Sequence, residues 1–307
     1  MPGKLYKYFA PQLADNALSQ NGATLKFSLP GEFNDPYELF LTVDHDSPPA
    51  TLAFYDEVIG EVMGMPTTCF SRNPDVVPMW AHYGQNGEGF AIEVDEDLLR
   101  EQLSDTCTIQ DVEYRDTRPD GLAETLSRAQ FRQKPRDIYF LRNSVYRAAY
   151  FTKATCWSYE RERRVVLDNA NNLCEANGIS LLSIPKNCVT AIILGASTDA
   201  ATQTKLRSIA ALIGSKVYEC KIGRNNITPF FLDSAGSTLI FTDGEILPAA
   251  NVCKSCGEPQ KEGSLCSWCR IEETDRETAA ASNPWRLLDA AGLLGDYIDS
   301  MNAIGKQ

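Results

Sequence analysis

The chain's densest cluster of acids and bases lies in residues 155–167, TCWSYERERRVVL, where Glu160 and Glu162 stand among arginines. Side chains two apart in a strand point to the same face, so Glu160 and Glu162 would share a face with Arg164. The intervening arginines would point the other way. One of these glutamates would point to a ligand, and its neighbour two residues away would share that face. The alternative interpretation is an edge strand whose charges form cross-strand ion pairs.

Residues 132–164 also form a basic segment. They contain nine lysines or arginines against three acids, although the whole chain has a net charge of −12. A local excess of positive charge predicts a site for phosphate groups. The negative total argues against a protein that coats nucleic acid or anionic membrane with its whole surface.

Further candidate ligand-binding residues are polar or aromatic side chains at the ends of predicted strands. They are Tyr6, Lys7, Tyr8, Ser28, Asn34, Asp35, Ser71, Arg72, Trp80, His82, Tyr83, Trp157 and Arg164. Aromatic rings can stack on a flat base, and a nearby carboxylate can accept hydrogen bonds from ribose hydroxyls. Each residue also has a structural explanation, such as an Asx-turn at Asn34-Asp35. Together they predict a site for a nucleotide-type ligand.

Four cysteines near the C-terminus have metal-ligand spacing. Cys253 and Cys256 form one C-x2-C pair, and Cys266 and Cys269 form a second. Four thiolates complete the closed tetrahedral set that zinc takes at structural sites, which predicts a zinc ribbon without a free coordination position. Disulfides and iron–sulfur ligation are the alternatives.

The elements that must position these residues do not alternate regularly between strand and helix. We therefore expect an α+β fold, with a mixed or antiparallel central sheet flanked by helices. A change of composition predicts three segments: an α+β domain with the nucleotide site over 1–245, the zinc ribbon over 246–275 and an amphipathic helix over 276–307. Asn283 would cap that helix. Its apolar stripe would pack on its own domain or on a partner, a second copy of the chain included.

Several classes of protein are disfavoured. The N-terminus lacks the apolar core of a signal peptide, and no apolar run reaches the roughly 18 residues that span a membrane, so we expect a cytoplasmic protein without a membrane partner. No G-x-G-x-x-G, Walker or G-x-S-x-G motif occurs, and the only histidines are His45 and His82. Rossmann, P-loop and Ser/His triad chemistry are therefore not expected.

Five motifs in order resemble the bacterial domain-of-unknown-function family 2971. They are LYKY, FSLPGEFNDPYE, TCFSR, MWAHYGQNGEGFAIEVD and KATCWSYERERR, and with the later IILGAS the resemblance runs over roughly residues 5–200. This family name implies no activity.

The same order is similar to that of the ADP-ribosyltransferase superfamily. The resemblance implies that NAD lies between a polar residue of the first strand (Tyr6, Lys7 or Tyr8), the strand at Cys69–Ser71 and a late glutamate. That glutamate, Glu162 or Glu160, would stabilise the oxocarbenium-like ribose as nicotinamide departs. The Arg or His usual on the first strand is absent.

These resemblances imply an NAD-using ADP-ribosyltransferase or NAD glycohydrolase, such as a toxin or anti-phage defence effector. The acceptor of ADP-ribose would be a protein, a nucleic acid or water. The first alternative is a non-catalytic module with a zinc ribbon that binds a nucleotide or nucleic acid. The second is a metal-dependent nuclease with Asp35, Glu38, Glu160 and Glu162 as ligands.

Overall fold

The computed structural model of the chain describes residues 3–33, 35, 42–103 and 107–304. The chain divides into two units, Met1–Pro248 and Ala249–Gln307. The strands of the described residues are β1 (Lys4–Phe9), β2 (Leu18–Ser19), β3 (Gly22–Phe27), β4 (Thr67–Ser71), β5 (Phe90–Asp95), β6 (Cys107–Asp111), β7 (Glu113–Tyr114), β8 (Thr152–Lys153), β9 (Glu162–Leu167), β10 (Cys174–Ala176), β11 (Ile179–Pro185), β12 (Val189–Leu194), β13 (Lys216–Lys221), β14 (Phe230–Leu232), β15 (Thr238–Thr242) and β16 (Glu245–Pro248).

Helices lie between and after these strands. Within the described residues they are α1 (Ala14–Ala17), α2 (Pro49–Ile59), α3 (Val77–His82), α4 (Glu96–Leu103), α5 (Leu122–Arg132), α6 (Pro135–Phe151), α7 (Ala200–Ile213), α8 (Glu273–Ala281), α9 (Pro284–Ala290) and α10 (Leu294–Ile304). None of the described helices combines the length and apolar character that crossing a membrane would need.

The main sheet of the first unit is mixed. In the described residues its strand order is β16-β15-β14-β13-β12-β5-β1-β4-β9-β6. Strands β12 and β13 are parallel and are joined through α7, whereas the other neighbours are antiparallel. A smaller sheet has the order β10-β11-β3-β2. The predicted α+β fold is confirmed.

Short-range signals fix several helix ends. The Oδ1 of Asp95 accepts hydrogen bonds from the backbone N–H groups of Asp97 and Leu98, both at 3.1 Å, so Asp95 caps α4. Pro135 occupies the first turn of α6 and separates it from α5. Proline is favoured there because the N–H groups in the first turn of a helix have no acceptor within the helix, so proline loses no hydrogen bond.

A local separation of two strands positions the site. Strand β1 pairs with β5 along its length, but its only registered partner pair with β4 is Tyr6 opposite Ser71. Strand β4 continues antiparallel to β9 from Thr67 to Ser71. The sheet therefore opens between β1 and β4 beyond Tyr6 and Ser71, and this opening is called the β1–β4 cleft below.

The second unit contains the four-cysteine segment and helices α8 to α10. Asn283 caps α9 as predicted, because its side chain accepts hydrogen bonds from the backbone of Trp285 and Arg286. The C-terminal region differs from the single predicted helix. Residues 276–304 contain the end of α8 and the helices α9 and α10, and the chain between α9 and α10 passes through Gly292 at a φ of +71°. A left-handed glycine ends a helix at little cost.

Candidate functional site

A cavity of about 480 Å³ lies at the β1–β4 cleft. Most residues predicted to bind a ligand line it. They are Tyr6, Lys7, Tyr8, Ser28, Ser71, His82, Tyr83, Glu160, Glu162 and Arg164. The cavity is also lined by residues outside the predicted set. Those with a charged, thiol or aromatic side chain that matter below are Phe33, Lys26, Cys69 and Lys153.

Glu162 lies at the start of β9 and is held by two cations. Arg164 Nε donates to Glu162 Oε1 at 2.6 Å, and Lys153 Nζ donates to Glu162 Oε2 at 3.2 Å. Glu162 and Arg164 are only 4% and 1% exposed. Arg164 also donates to the backbone oxygen of Tyr150 at 3.0 Å. Paired and hydrogen-bonded in this way, the Glu162 carboxylate can remain charged inside the protein.

Glu160 reaches the same cavity by a different route from the one predicted. It ends a 3-10 helix over Thr155–Glu160 and is not part of β9. Arg161, between it and the strand, has a left-handed φ of +44°. Lys153 Nζ donates to Glu160 Oε2 at 2.7 Å, and Tyr83 OH donates to Oε1 at 2.7 Å. Lys153 therefore bridges the two carboxylates.

The two carboxylates have opposite pKa shifts. Burial raises the pKa of Glu160, and the nearby charge of Glu162 raises it further, against the lowering effects of Lys153 and Tyr83. Burial also raises the pKa of Glu162, but Arg164 and Lys153 together outweigh it, so the net pKa lies below the usual range. Glu162 is thus held as an anion, whereas Glu160 binds a proton more readily than an exposed glutamate.

Lys7 extends into the β1–β4 cleft. Its Nζ donates to Thr68 Oγ1 and to the backbone oxygen of Cys69, both at 2.9 Å. Burial lowers the pKa of Lys7 and raises the pKa of the Cys69 thiol. Lys26, which is exposed, forms an ion pair with Glu32 at 3.6 Å. The cavity thus combines cations, carboxylates and the rings of Tyr83 and Phe33.

The alternation predicted for β9 is partly observed. Glu162 and Arg164 share the face of the cavity, while Arg163 points to the opposite face and pairs with Glu96 and Asp111. The alternative interpretation is wrong in placing β9 at an edge, because β9 lies between β4 and β6. Its cross-strand ion pair is observed between Arg163 and Asp111 of β6.

Other predicted ligand-binding residues do not line the cavity. Arg72 pairs with Glu96 and Asp111 instead. Trp80 is buried in the core, and its Nε1 donates to the backbone oxygen of Pro74 at 2.8 Å. Trp157 lies outside the lining, but Lys153 Nζ is 4.9 Å from its ring centroid. Asp35 is buried and does not line the cavity, and Asn34 lies outside the described residues.

Most of the basic segment 132–164, whose charge predicted a site for phosphate groups, does not line the cavity. Of its nine lysines and arginines, Lys153 and Arg164 line the cavity. Arg136 and Arg147 lie on the exposed side of α6, where the 3.6-residue period places them opposite the buried residues. A local sum of charges does not report which face each side chain occupies.

A larger cavity of about 740 Å³ lies between residues 42–51 and 118–131. It contains none of the predicted site residues. Its arginine, Arg118, already pairs with Asp44 at 3.2 Å. The smaller cavity is therefore the better candidate site of the two, because several buried acids and bases converge there.

The four cysteines of the second unit are close together, and their Sγ atoms all lie within 4.8 Å of one another. Cys256 Sγ and Cys266 Sγ are 3.8 Å apart. Zinc–sulfur bonds of about 2.3 Å in a tetrahedron place sulfurs about 3.8 Å apart. The backbone N–H of Cys266 also donates to Cys253 Sγ at 3.3 Å, which favours a thiolate. These residues could hold a metal ion such as zinc.

Comparison with protein-family models gave a match over part of the chain. Neither the search of curated proteins nor the search of solved structures found a match. A family model does match one segment of the chain, which begins within α3 and ends within β9. This segment includes five residues of the cavity: Tyr83, Lys153, Glu160, Glu162 and Arg164. Residues 79–165 of this chain match the family described as Protein of unknown function (DUF2971), and the resemblance to family 2971 is confirmed over that segment.

Proposed function

We propose that this protein cleaves the N-glycosidic bond of NAD or a closely related nucleotide. ADP-ribose would pass to water or to a macromolecular acceptor. One observation carries the proposal: Glu160 and Glu162 have opposite pKa shifts, share Lys153, and line one cavity with cations and aromatic rings. Enzymes that cleave glycosidic bonds commonly use two carboxyl groups whose pKa values differ, one to transfer a proton and one to remain charged.

Glu162 supplies the fixed negative charge. As the bond between ribose C1′ and the nicotinamide nitrogen lengthens, the ribose becomes cationic. An anion already oriented by Arg164 and Lys153 stabilises that cation without reorganising. The electron pair of the broken bond goes to the nicotinamide nitrogen, which leaves as a neutral base and needs no proton.

Glu160 acts as the general base. A raised pKa makes its carboxylate a stronger proton acceptor than an exposed glutamate. It takes the proton of the attacking water or acceptor hydroxyl while the oxygen of that group forms the new bond to C1′. Tyr83 and Lys153, which each donate to one oxygen of Glu160, hold the carboxyl group in place.

The remaining lining residues suit the other parts of a nucleotide. Lys7 and Lys26 place positive charge for a diphosphate. The rings of Tyr83 and Phe33 offer faces for a flat base. A volume of about 480 Å³ lies within the range of small-molecule sites, roughly 300–1,000 Å³.

The metal-dependent nuclease is less well supported. Among the described residues, the group of acids, histidines or cysteines close enough to hold a metal is the four-cysteine cluster. Between Glu160 and Glu162, the ammonium of Lys153 takes the position that a metal ion would need. For the four cysteines we propose zinc in a structural role, since four thiolates complete its coordination.

The test is nicotinamide release from NAD by the zinc-loaded protein and by its Glu160→Gln and Glu162→Gln variants, without added Mg²⁺ or Mn²⁺. We expect release by the parent protein and a loss of at least about a hundredfold in each variant. Glu88→Gln, at an exposed glutamate outside the cavity, is the matched control and should retain activity. If the protein binds NAD tightly but releases no nicotinamide, even with candidate acceptors supplied, it is a nucleotide-binding module and not an enzyme.

A further inference from the structure

The tip of the α5–α6 hairpin carries an unusual exposed surface. Phe131 is 90% exposed, Tyr139 62% and Phe140 51%. Arg132, Lys134 and Arg136 are exposed beside them. We call these six residues the hairpin patch. The rings of Tyr139 and Phe140 are in contact, with centroids 5.9 Å apart. Large aromatic rings are costly to leave in water, and an exposed cluster of this kind indicates a surface used for binding.

The patch is strongly basic within an acidic protein. Residues 128–147 contain six lysines or arginines and one acid, Asp137, in a chain of net charge −12. Asp137 is buried and lies 3.7 Å from Arg128, so it does not offset the outer charges. No ion pair among the described residues involves Arg132, Lys134 or Arg136. These side chains are available to an anionic partner.

Helix geometry aligns the cations and rings of α6. Its buried side is formed by Asp137, Leu141, Val145 and Ala148. The opposite, exposed side is formed by Arg136, Tyr139, Phe140, Asn143 and Arg147. Positions three and four apart share a face, so this side is a continuous strip about 16 Å long.

We propose that the hairpin patch binds single-stranded nucleic acid. Its lysine and arginines would contact phosphates, and its exposed rings would stack on unpaired bases. A duplex keeps its bases stacked and offers no faces to these rings. The patch also lacks the broad aliphatic side that an interfacial helix inserts into lipid. Because its residues lie outside the lining of the β1–β4 cleft, this inference stands whether or not the protein cleaves NAD.

The test is fluorescence anisotropy with labelled oligo-dT and oligo-rU. Arg132→Glu/Lys134→Glu/Arg136→Glu should weaken binding at least about tenfold at about 50 mM salt, and should lower the salt slope by about 2. Phe131→Ala/Tyr139→Ala/Phe140→Ala should weaken binding at least about fivefold with an unchanged slope. The substituted side chains are exposed, so both variants are expected to fold.

A matched control removes three exposed lysines elsewhere, as Lys186→Glu/Lys216→Glu/Lys261→Glu. It makes the same change of net charge and should keep the parent affinity. Three results would overturn the proposal: no binding by the parent protein, an equal loss in the control, or duplex bound as tightly as single strands. Binding to phosphatidylserine vesicles that depends on the patch, without oligonucleotide binding, would assign the surface to a membrane instead.

Discussion

Replacing Lys153 with methionine removes the one ammonium group that contacts both Glu160 and Glu162, and keeps an unbranched stem. Lys153 Nζ lies 2.7 Å from Glu160 Oε2 and 3.2 Å from Glu162 Oε2. Removing one partner of a buried ion pair costs about 3–5 kcal/mol, because the remaining charge is uncompensated. Glu162 keeps Arg164, so the cost falls mainly on Glu160. We expect the free energy of unfolding to fall by about 3 kcal/mol at neutral pH.

The loss of unfolding free energy caused by Lys153→Met should increase as the pH rises. Of the groups that lower the pKa of Glu160, Lys153 has the largest effect, so its removal raises this pKa further above the unfolded value of about 4.3. Below the unfolded value the carboxyl group is protonated in both states, and the loss is small. As the pH rises from the pKa of Glu160 in the unfolded state to its raised pKa in the folded state, the carboxyl group ionises first in the unfolded state. The free energy of unfolding of the variant therefore falls over this pH range.

The assay is urea unfolding followed by tryptophan fluorescence, at about pH 4 and about pH 7.5 with zinc held constant. The double variant Lys153→Met/Glu160→Gln should recover most of the loss, since it removes the unpaired charge. Lys186→Met, at an exposed lysine, should change stability by less than about 0.5 kcal/mol. A loss under about 1 kcal/mol, or one equal at both pH values, would refute the reasoning.

Three further changes test other parts of the structure. The side chain of Asp199 caps α7 by accepting hydrogen bonds from the backbone N–H groups of Ala201 and Thr202. Asp199→Ala should therefore lower the free energy of unfolding by about 1 kcal/mol, and unchanged urea unfolding would contradict this. Arg164→Met leaves Glu162 buried with one cation and should cost about 3–5 kcal/mol in the same assay; a loss under about 1 kcal/mol would contradict the pairing. Cys266→Ser should abolish stoichiometric zinc binding measured by atomic absorption, and retention of one zinc per chain would contradict the proposed ligand set.

Much of the site follows from local sequence rules. Strand alternation predicts that Glu162 and Arg164 share a face, because β9 is a regular strand from its first residue. The same rule fails for Glu160, since the left-handed Arg161 ends a 3-10 helix just before the strand. Arginine has no strong preference for that conformation, so the sequence carries no clear signal for it.

Other features depend on tertiary contacts. Lys153 lies on a two-residue strand, and only the fold brings it between the carboxylates. The β1–β4 cleft arises from strand pairing that the sequence does not specify. The positions of the basic residues of α6 could have been predicted, because Asp137, Leu141 and Val145 recur at helical spacing and leave the cations on the opposite side.

The central claim is that NAD reacts in the β1–β4 cleft. The most direct test is a crystal structure of the zinc-loaded Glu160→Gln variant with NAD, because this variant removes the proposed base and keeps Glu162. We expect a bound nucleotide with C1′ of its nicotinamide ribose facing the Glu162 carboxylate and its diphosphate near Lys7 or Lys26. An empty cleft at saturating NAD, or NAD bound only at another surface, would contradict it.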